Sequence, residues 1–109
     1  MGDLAAQKCV PCSKGSKGLS KEEVEKLLPE VPEWSLGKKG DRIEREFVFD
    51  EFMPAMDFVN KVARLAEDEG HHPDFHIHYN KVKLVLWTHA IGGLHRNDFV
   101  MAARVDRVS

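Results

Sequence analysis

Apolar residues recur at three- and four-residue spacing over residues 50–69, which predicts the longest helix of the chain. Its apolar face comprises Phe52, Ala55, Met56, Val59, Val62, Ala63 and Ala66. Asp50 is a suitable N-cap, although Pro54 also favours a slightly later start. Gly70 fits the position just past the helix end, where a left-handed backbone costs least. Pro73 favours an extended backbone at the residue before it, so we expect a strand to follow the helix.

A β-hairpin is predicted next. Residues 75–79 alternate between apolar and polar side chains, residues 82–88 are rich in strand formers, and Asn80-Lys81 is the expected turn. A two-residue turn there predicts the pairs Tyr79–Val82, Ile77–Leu84 and Phe75–Leu86 on an apolar face, and His78–Lys83, His76–Val85, Asp74–Trp87 and His72–His89 on the other. A longer loop would shift this register. Burial of the apolar face thus sets His72 opposite His89, with His71 one residue away.

The remaining pattern completes the predicted fold. The capping box at residues 20–23 begins a short helix that Pro29 ends. Strands are predicted at residues 34–36 and 43–49, and a last helix begins at 95–97 and runs to about residue 108. The order helix, two strands, helix, two strands, helix predicts an α+β domain. We expect a four-stranded, mostly antiparallel sheet with three helices packed on one face.

Composition limits the function classes. The 109 residues suffice for one domain, and a net charge of −2 with mixed signs does not indicate an electrostatic nucleic-acid binder. No apolar run approaches the roughly 20 residues of a membrane span, and the N-terminus lacks the apolar core of a signal peptide. We therefore expect no membrane or direct nucleic-acid partner and a cytoplasmic location.

The first 18 residues have the composition of a flexible tail, with the domain at residues 19–109. The tail carries Cys9-Val10-Pro11-Cys12, a CxxC motif. Two cysteines are half of a structural zinc set, and no strand and helix flank them as in a redox motif. A zinc site completed by other ligands, a redox role and no essential role all remain open for Cys9 and Cys12.

Two kinds of chemistry suit the histidines that the hairpin brings together. One is metal binding, although the helical His-Glu-x-x-His pattern is absent. The other is general acid–base catalysis, because histidine gains and loses a proton near neutrality. There is no serine or cysteine nucleophile beside the cluster and no glycine-rich phosphate loop, which argues against acyl and phosphoryl transfer. Proton transfer without a cofactor, as in an elimination, is the chemistry that remains.

Several short segments, spread from about Leu19 to Val108, resemble the pterin-4a-carbinolamine dehydratase family. The segments are Ala66-Glu67, His71-His72-Pro73, Tyr79-Asn80-Lys81-Val82, Thr88-His89, Gly93-Leu94 and Asp98. The resemblance implies a small α+β fold whose subunits pair through their sheets into homodimers or homotetramers. It also implies dehydration of 4a-hydroxytetrahydropterin to the quinonoid dihydropterin, the recycling step after aromatic amino-acid hydroxylation, without a metal or organic cofactor.

The resemblance also assigns roles to residues. The pterin pocket would be lined by His71, His72 and His89, with Gly70, Trp87, Thr88 and Ala90 around it. His71 and His89 are the candidates for acid and base, in either order, and His72 would orient the pterin. Glu67 would hold His72 or His71 in the required tautomer. Asp98 is a supporting residue in the family pattern, and a carboxylate in the first turn of a helix explains it equally well.

One departure and two alternatives follow from the same residues. The family usually has Ser or Thr near His95 to cap the last helix, so we expect Asn97 to take over the cap. Family members also serve as dimerisation cofactors of a transcription factor. The alternative function is therefore a non-catalytic pterin-binding or assembly factor, whose pterin could be one related to molybdopterin. A metal-binding module that uses the histidines and the CxxC motif is the third hypothesis.

Overall fold

Three helices and four strands make up the regular structure of the part of the chain that the computed structural model describes, residues 4–7 and 18–109. They are α1 (Lys21–Leu27), β1 (Ser35–Leu36), β2 (Ile43–Val48), α2 (Phe52–Glu69), β3 (Asp74–His78), β4 (Lys81–Leu86) and α3 (Arg96–Val108). Short 3-10 helices span Leu4–Ala6, Leu28–Glu30 and His89–Ile91. Among the described residues, none of the helices combines the length and apolarity that crossing a membrane requires.

The four strands form one antiparallel sheet in the order β1-β2-β4-β3. Apolar side chains from β2 and β4 share a core with α2 and α3. The core includes Ile43, Phe47, Val82, Leu84 and Leu86 from the sheet, Ala55, Phe58, Val62 and Ala66 from α2, and Phe99, Ala102 and Val105 from α3. On the opposite face of the sheet, Glu46, Lys81, His76 and His78 are exposed, whereas Val85 is buried. The predicted α+β architecture is confirmed.

The predicted hairpin register is wrong by two residues. His78 pairs with Lys81, so the turn consists of Tyr79 and Asn80 instead of Asn80 and Lys81. Tyr79 adopts a positive φ of 51°, and the Asn80 Nδ2 group donates a hydrogen bond of 2.7 Å to the carbonyl of Phe49. This contact ties the turn to the end of β2. Because a two-residue shift keeps every side chain on its face, the apolar face was predicted correctly.

The shift removes one predicted contact at the other end of the hairpin. The β3–β4 pairing ends at Asp74 opposite Val85, so the backbone of His72 is not paired with His89. His72 lies in the segment before β3, and His89 lies in the segment after β4.

The C-terminal end of α2 agrees with the prediction, and the N-terminal end does not. The N-cap is Glu51 instead of Asp50, and its side chain makes no capping hydrogen bond. At the other end Gly70 is left-handed, with φ of 65°, and its N–H is directed at the carbonyls of Ala66 and Glu67. Gly70 thus turns the chain out of the helix immediately before the histidine pair.

Gly70→Ala is expected to destabilise the fold by about 1 kcal/mol, because a side chain disfavours the left-handed backbone. The matched control is Gly93→Ala, at a glycine outside the left-handed region whose added Cβ meets no atom within 4 Å. Urea unfolding followed by circular dichroism measures both changes. Equal midpoints for the two variants would contradict the prediction.

The start of the chain contributes to the core. Leu4 and Ala5 are buried, and Leu4 belongs to the hydrophobic core. Gln7 accepts hydrogen bonds from two arginines of α3, through Oε1 from Arg96 at 3.0 Å and through its backbone carbonyl from Arg104 at 2.9 Å. Of the predicted tail at residues 1–18, residues 4–7 therefore pack on α3. Cys9 and Cys12 lie outside the described residues.

Candidate functional site

Asp98 is the centre of a hydrogen-bond network that joins two of the predicted site residues, His71 and Thr88. It lies in the first turn of α3 and has no exposed surface. Its Oδ2 atom accepts 2.9 Å hydrogen bonds from Thr88 Oγ1 and from the backbone N–H of His95. Its Oδ1 atom lies 2.5 Å from Nε2 of His71. A buried carboxylate needs such partners, and here three segments of the chain supply them.

The contact of His71 Nε2 with Asp98 leaves Nδ1 as the ring nitrogen that can exchange a proton with a ligand. The imidazole is largely buried, with 11% of its side chain exposed. Because Nε2 is bonded to Asp98, Nδ1 is the ring atom left for another ligand. In a neutral ring with the proton on Nε2, Nδ1 accepts a proton; in the charged ring it donates one. The pair with Asp98 is compatible with both states.

His72 makes a separate contact with Glu67. Its Nε2 atom lies 2.9 Å from Glu67 Oε1, and the two side chains are 63% and 81% exposed. An exposed contact of this kind contributes at most about 1 kcal/mol to stability, even where both groups are charged. The two residues border an open cleft of about 440 Å³, whose other lining residues are Asn60, Ala63, Arg64, Ala66 and Phe75. Of the two histidines predicted for Glu67, the structure pairs it with His72.

His89 lies against the indole of Trp87. The ring centroids are 3.8 Å apart and the planes are inclined by 32°. Thr88, between them in the chain, is buried and donates its hydroxyl hydrogen bond to Asp98. Backbone hydrogen bonds between Thr88 and Gly93 close the loop that carries His89 and Ala90. Asp98 therefore links the His89 loop to His71.

The cap of α3 differs from the predicted one. His95, not Asn97, is the N-cap, and its Nδ1 atom accepts a 3.0 Å hydrogen bond from the Asn97 backbone. Together with the bond from the His95 N–H to Asp98, this forms a capping box. The signal was the three-residue spacing of His95 and Asp98, although histidine is not among the preferred N-cap residues.

The remaining predicted site residues lie near the histidines, whereas the two histidines of β3 do not. Gly70 and Ala90 flank the histidines, at the end of α2 and in the 3-10 helix that begins at His89. His76 and His78 are exposed on the open face of the sheet, away from the Asp98 network. Within residues 4–7 and 18–109, no group of three or more His, Cys, Asp or Glu side chains is arranged to hold a metal ion.

The chain is similar to known proteins both in sequence and in structure. The family model described as Pterin 4 alpha carbinolamine dehydratase matches residues 17–108. Two proteins named "Putative pterin-4-alpha-carbinolamine dehydratase", from Methylococcus capsulatus and Chlorobium luteolum, are each 47% identical; the matches cover 97% and 99% of this chain and 93% and 96% of theirs. The crystal structure of a transcriptional coactivator/pterin dehydratase from Brucella melitensis superposes with a TM-score of 0.80 at 29% identity, covering 84% of this chain and 98% of the other. The chain belongs to the pterin-4-alpha-carbinolamine dehydratase family.

Proposed function

We propose that the protein converts 4a-hydroxytetrahydropterin to the quinonoid dihydropterin by histidine general acid–base catalysis. The family membership supports a dehydratase that acts on this class of substrate. The observation that carries the mechanism is the contact of 2.5 Å between His71 and the fully buried Asp98. In the cell this reaction would recycle the pterin after aromatic amino-acid hydroxylation.

The reaction needs two proton transfers. The C4a–O bond breaks as a protonated imidazole donates to the 4a-hydroxyl, which leaves as water. The N5 proton passes to a base as the electron pair of the N–H bond forms the N5=C4a double bond. A hydroxyl leaves poorly as hydroxide, so the proton donor raises the rate, typically by about 10²- to 10⁴-fold for general acid–base catalysis. No metal or organic cofactor takes part in this scheme.

His71 and His89 are the two proton-transfer groups of the proposal. Asp98 orients the His71 ring through Nε2, so that proton transfer takes place at Nδ1. Thr88 carries the His89 loop to the same carboxylate, which keeps the two histidines in a fixed relation. With the substrate between them, one histidine acts as acid and the other as base, in either order.

His72 binds and orients the pterin in this proposal. The Glu67 carboxylate at 2.9 Å from Nε2 favours a proton on that nitrogen and sets the orientation of the ring. Phe75 in the same cleft offers an apolar surface to a flat heterocycle. The remaining proposed substrate contacts are made by Gly70, Trp87, Thr88 and Ala90.

The purified protein is expected to speed the decay of 4a-hydroxytetrahydropterin in a stopped-flow absorbance assay. His72→Ala is expected to raise KM by about tenfold with a smaller change in kcat, because it removes binding energy present in both the ground and the transition state. Lys61→Ala, at an exposed residue of α2, is the matched control. Decay no faster than in buffer would contradict the proposed activity.

A non-catalytic assembly role is the second candidate. The Brucella melitensis protein is described as a coactivator as well as a dehydratase. The edge strands β1 and β3 leave backbone groups that a second copy could pair with, in a homodimer or homotetramer. Binding of a tetrahydropterin without turnover in the stopped-flow assay would favour this candidate over the enzyme.

A further inference from the structure

We propose that Arg42 and Asp74 are positioning residues that act through Trp87 to hold His89 in place for proton transfer. The inference rests on the proposed dehydratase function, because only that function gives His89 a catalytic role. Arg42, Asp74 and Trp87 come from three different segments of the sheet region, and none of them has a proton-transfer role in the proposed reaction.

Asp74 fixes the indole of Trp87. The indole has a single donor, Nε1–H, and it donates a 3.0 Å hydrogen bond to Asp74 Oδ2. Asp74 is the first residue of β3 and pairs with Val85 of β4, two residues before Trp87. The hydrogen bond therefore joins two residues that lie diagonally across the end of the hairpin, and it selects one rotation of the ring.

Arg42 covers the same indole. Its guanidinium carbon lies 4.8 Å from the centroid of the Trp87 ring, in the range of a cation–π contact. Arg42 directly precedes Ile43, and Ile43 pairs with Leu86, the residue before Trp87. The register of β2 and β4 thus places the cation beside the ring.

Asp41 holds the guanidinium of Arg42 in a two-point contact, with Nε–Oδ1 at 3.0 Å and Nη2–Oδ2 at 3.3 Å. The hydrogen bond from Arg42 lowers the pKa of Asp41 below its usual range, and the same bond raises the pKa of Arg42, with Asp74 adding to that rise. Arginine stays charged at any pH at which proteins are folded, and the two-point contact with Asp41 orients its guanidinium.

The fixed indole in turn limits His89. The imidazole is exposed and sits at the start of a short 3-10 helix, where its contact with Trp87 at 3.8 Å is the ring contact that defines its orientation. An aromatic face accepts either an imidazole or an imidazolium, so the contact persists through a proton-transfer cycle. A misplacement of about 1 Å at a catalytic group can cost 10²-fold in rate, which makes this support relevant to catalysis.

The test compares Asp74→Ala with Asp74→Asn. Alanine removes the acceptor of the indole hydrogen bond, whereas the asparagine carbonyl keeps it. We expect Asp74→Ala to lower kcat by about tenfold with KM changed less than about twofold, and Asp74→Asn to recover most of the rate. Arg42→Met should also lower kcat. Asp57→Ala, at an exposed residue of α2, is the control and should leave both constants unchanged.

Proton NMR of the imidazoles reports the position of the His89 ring directly. A general loss of stability without displacement of His89 would leave these chemical shifts unchanged. In the wild type, the ring current of Trp87 should displace the His89 ring protons upfield of those of the exposed His78. In Asp74→Ala the His89 signals should move towards those of His78, and in Asp74→Asn they should stay. This measurement needs no activity, so it tests the positioning of His89 even where the wild type shows no dehydratase activity.

Two results would overturn the inference. His89 signals that stay in place in both Asp74→Ala and Arg42→Met would show that neither residue positions the ring. A kcat of Asp74→Ala equal to that of the wild type, with the His89 signals displaced, would show that the position of the ring does not limit the reaction.

Discussion

His71→Ala is expected to reduce kcat of the proposed dehydration by about 10²- to 10⁴-fold, the usual contribution of one general acid or base. His71 is the histidine whose ring is held by the buried Asp98, so its loss removes both the proton-transfer group and its orientation. His89→Ala should lower kcat by a similar factor. The elimination needs both proton transfers, and this variant leaves one of them uncatalysed. Single-turnover stopped-flow measurements would separate the chemical step from product release.

Alanine at position 71 also changes stability, and a second variant separates the two effects. The truncation leaves the buried Oδ1 atom of Asp98 without its partner, at a cost of about 1–3 kcal/mol. His71→Gln has an amide N–H that can reach Asp98 but no group that takes up a proton near neutrality. It should therefore be more stable than His71→Ala and equally slow. A His71→Gln enzyme with more than about a tenth of the wild-type kcat would contradict a proton-transfer role for His71.

The matched control for both variants is His78→Ala. His78 is exposed on the open face of the sheet and makes none of the contacts of the Asp98 network. We expect its kcat and KM to equal those of the wild type. A loss of activity in His78→Ala comparable with that of His71→Ala would show that the assay responds to histidine removal in general.

The periodicity of apolar residues was enough to predict the fold but not the register of its hairpin. Alternation decides which face of a strand is buried, and it is unchanged when two strands slide by two residues. The choice between those registers depends on the positive φ of Tyr79 and on the bond from Asn80 to the Phe49 carbonyl. The latter is a tertiary contact 31 residues away, which a local pattern does not contain.

The same distinction explains what was predicted of the candidate site. The proximity of His71 and His72 to the end of α2 follows from local signals, chiefly Gly70 and Pro73. The bond from His71 to Asp98 spans 27 residues and depends on how α3 docks, so the sequence left Asp98 equally explained by the helix dipole. In the structure, Asp98 closes a capping box and contacts His71, so both explanations apply to one carboxylate.

Asp98→Ala is expected to lower the free energy of unfolding by about 3–5 kcal/mol, because each buried donor left without its acceptor costs about 1–3 kcal/mol. The substitution leaves three groups without their acceptor: the His71 ring, the Thr88 hydroxyl and the His95 backbone N–H. It also removes half of the capping box of α3. Small domains have about 5–15 kcal/mol of stability, so this change takes a large part of the total.

Thr88→Val measures how much of this loss of stability comes from a single hydrogen bond of Asp98. It removes only the 2.9 Å bond between the Thr88 hydroxyl and Oδ2 of Asp98, at an expected cost of about 1–2 kcal/mol, since the buried carboxylate keeps its bonds to His71 and His95. Urea unfolding of both variants and of the wild type gives the two free energies. If Asp98→Ala costs no more than Thr88→Val, then His71 and the α3 cap do not depend on this carboxylate. A clearly larger cost means that one buried group both stabilises the start of α3 and orients the histidine proposed to move the proton, so that the site cannot lose its orienting carboxylate without weakening the fold.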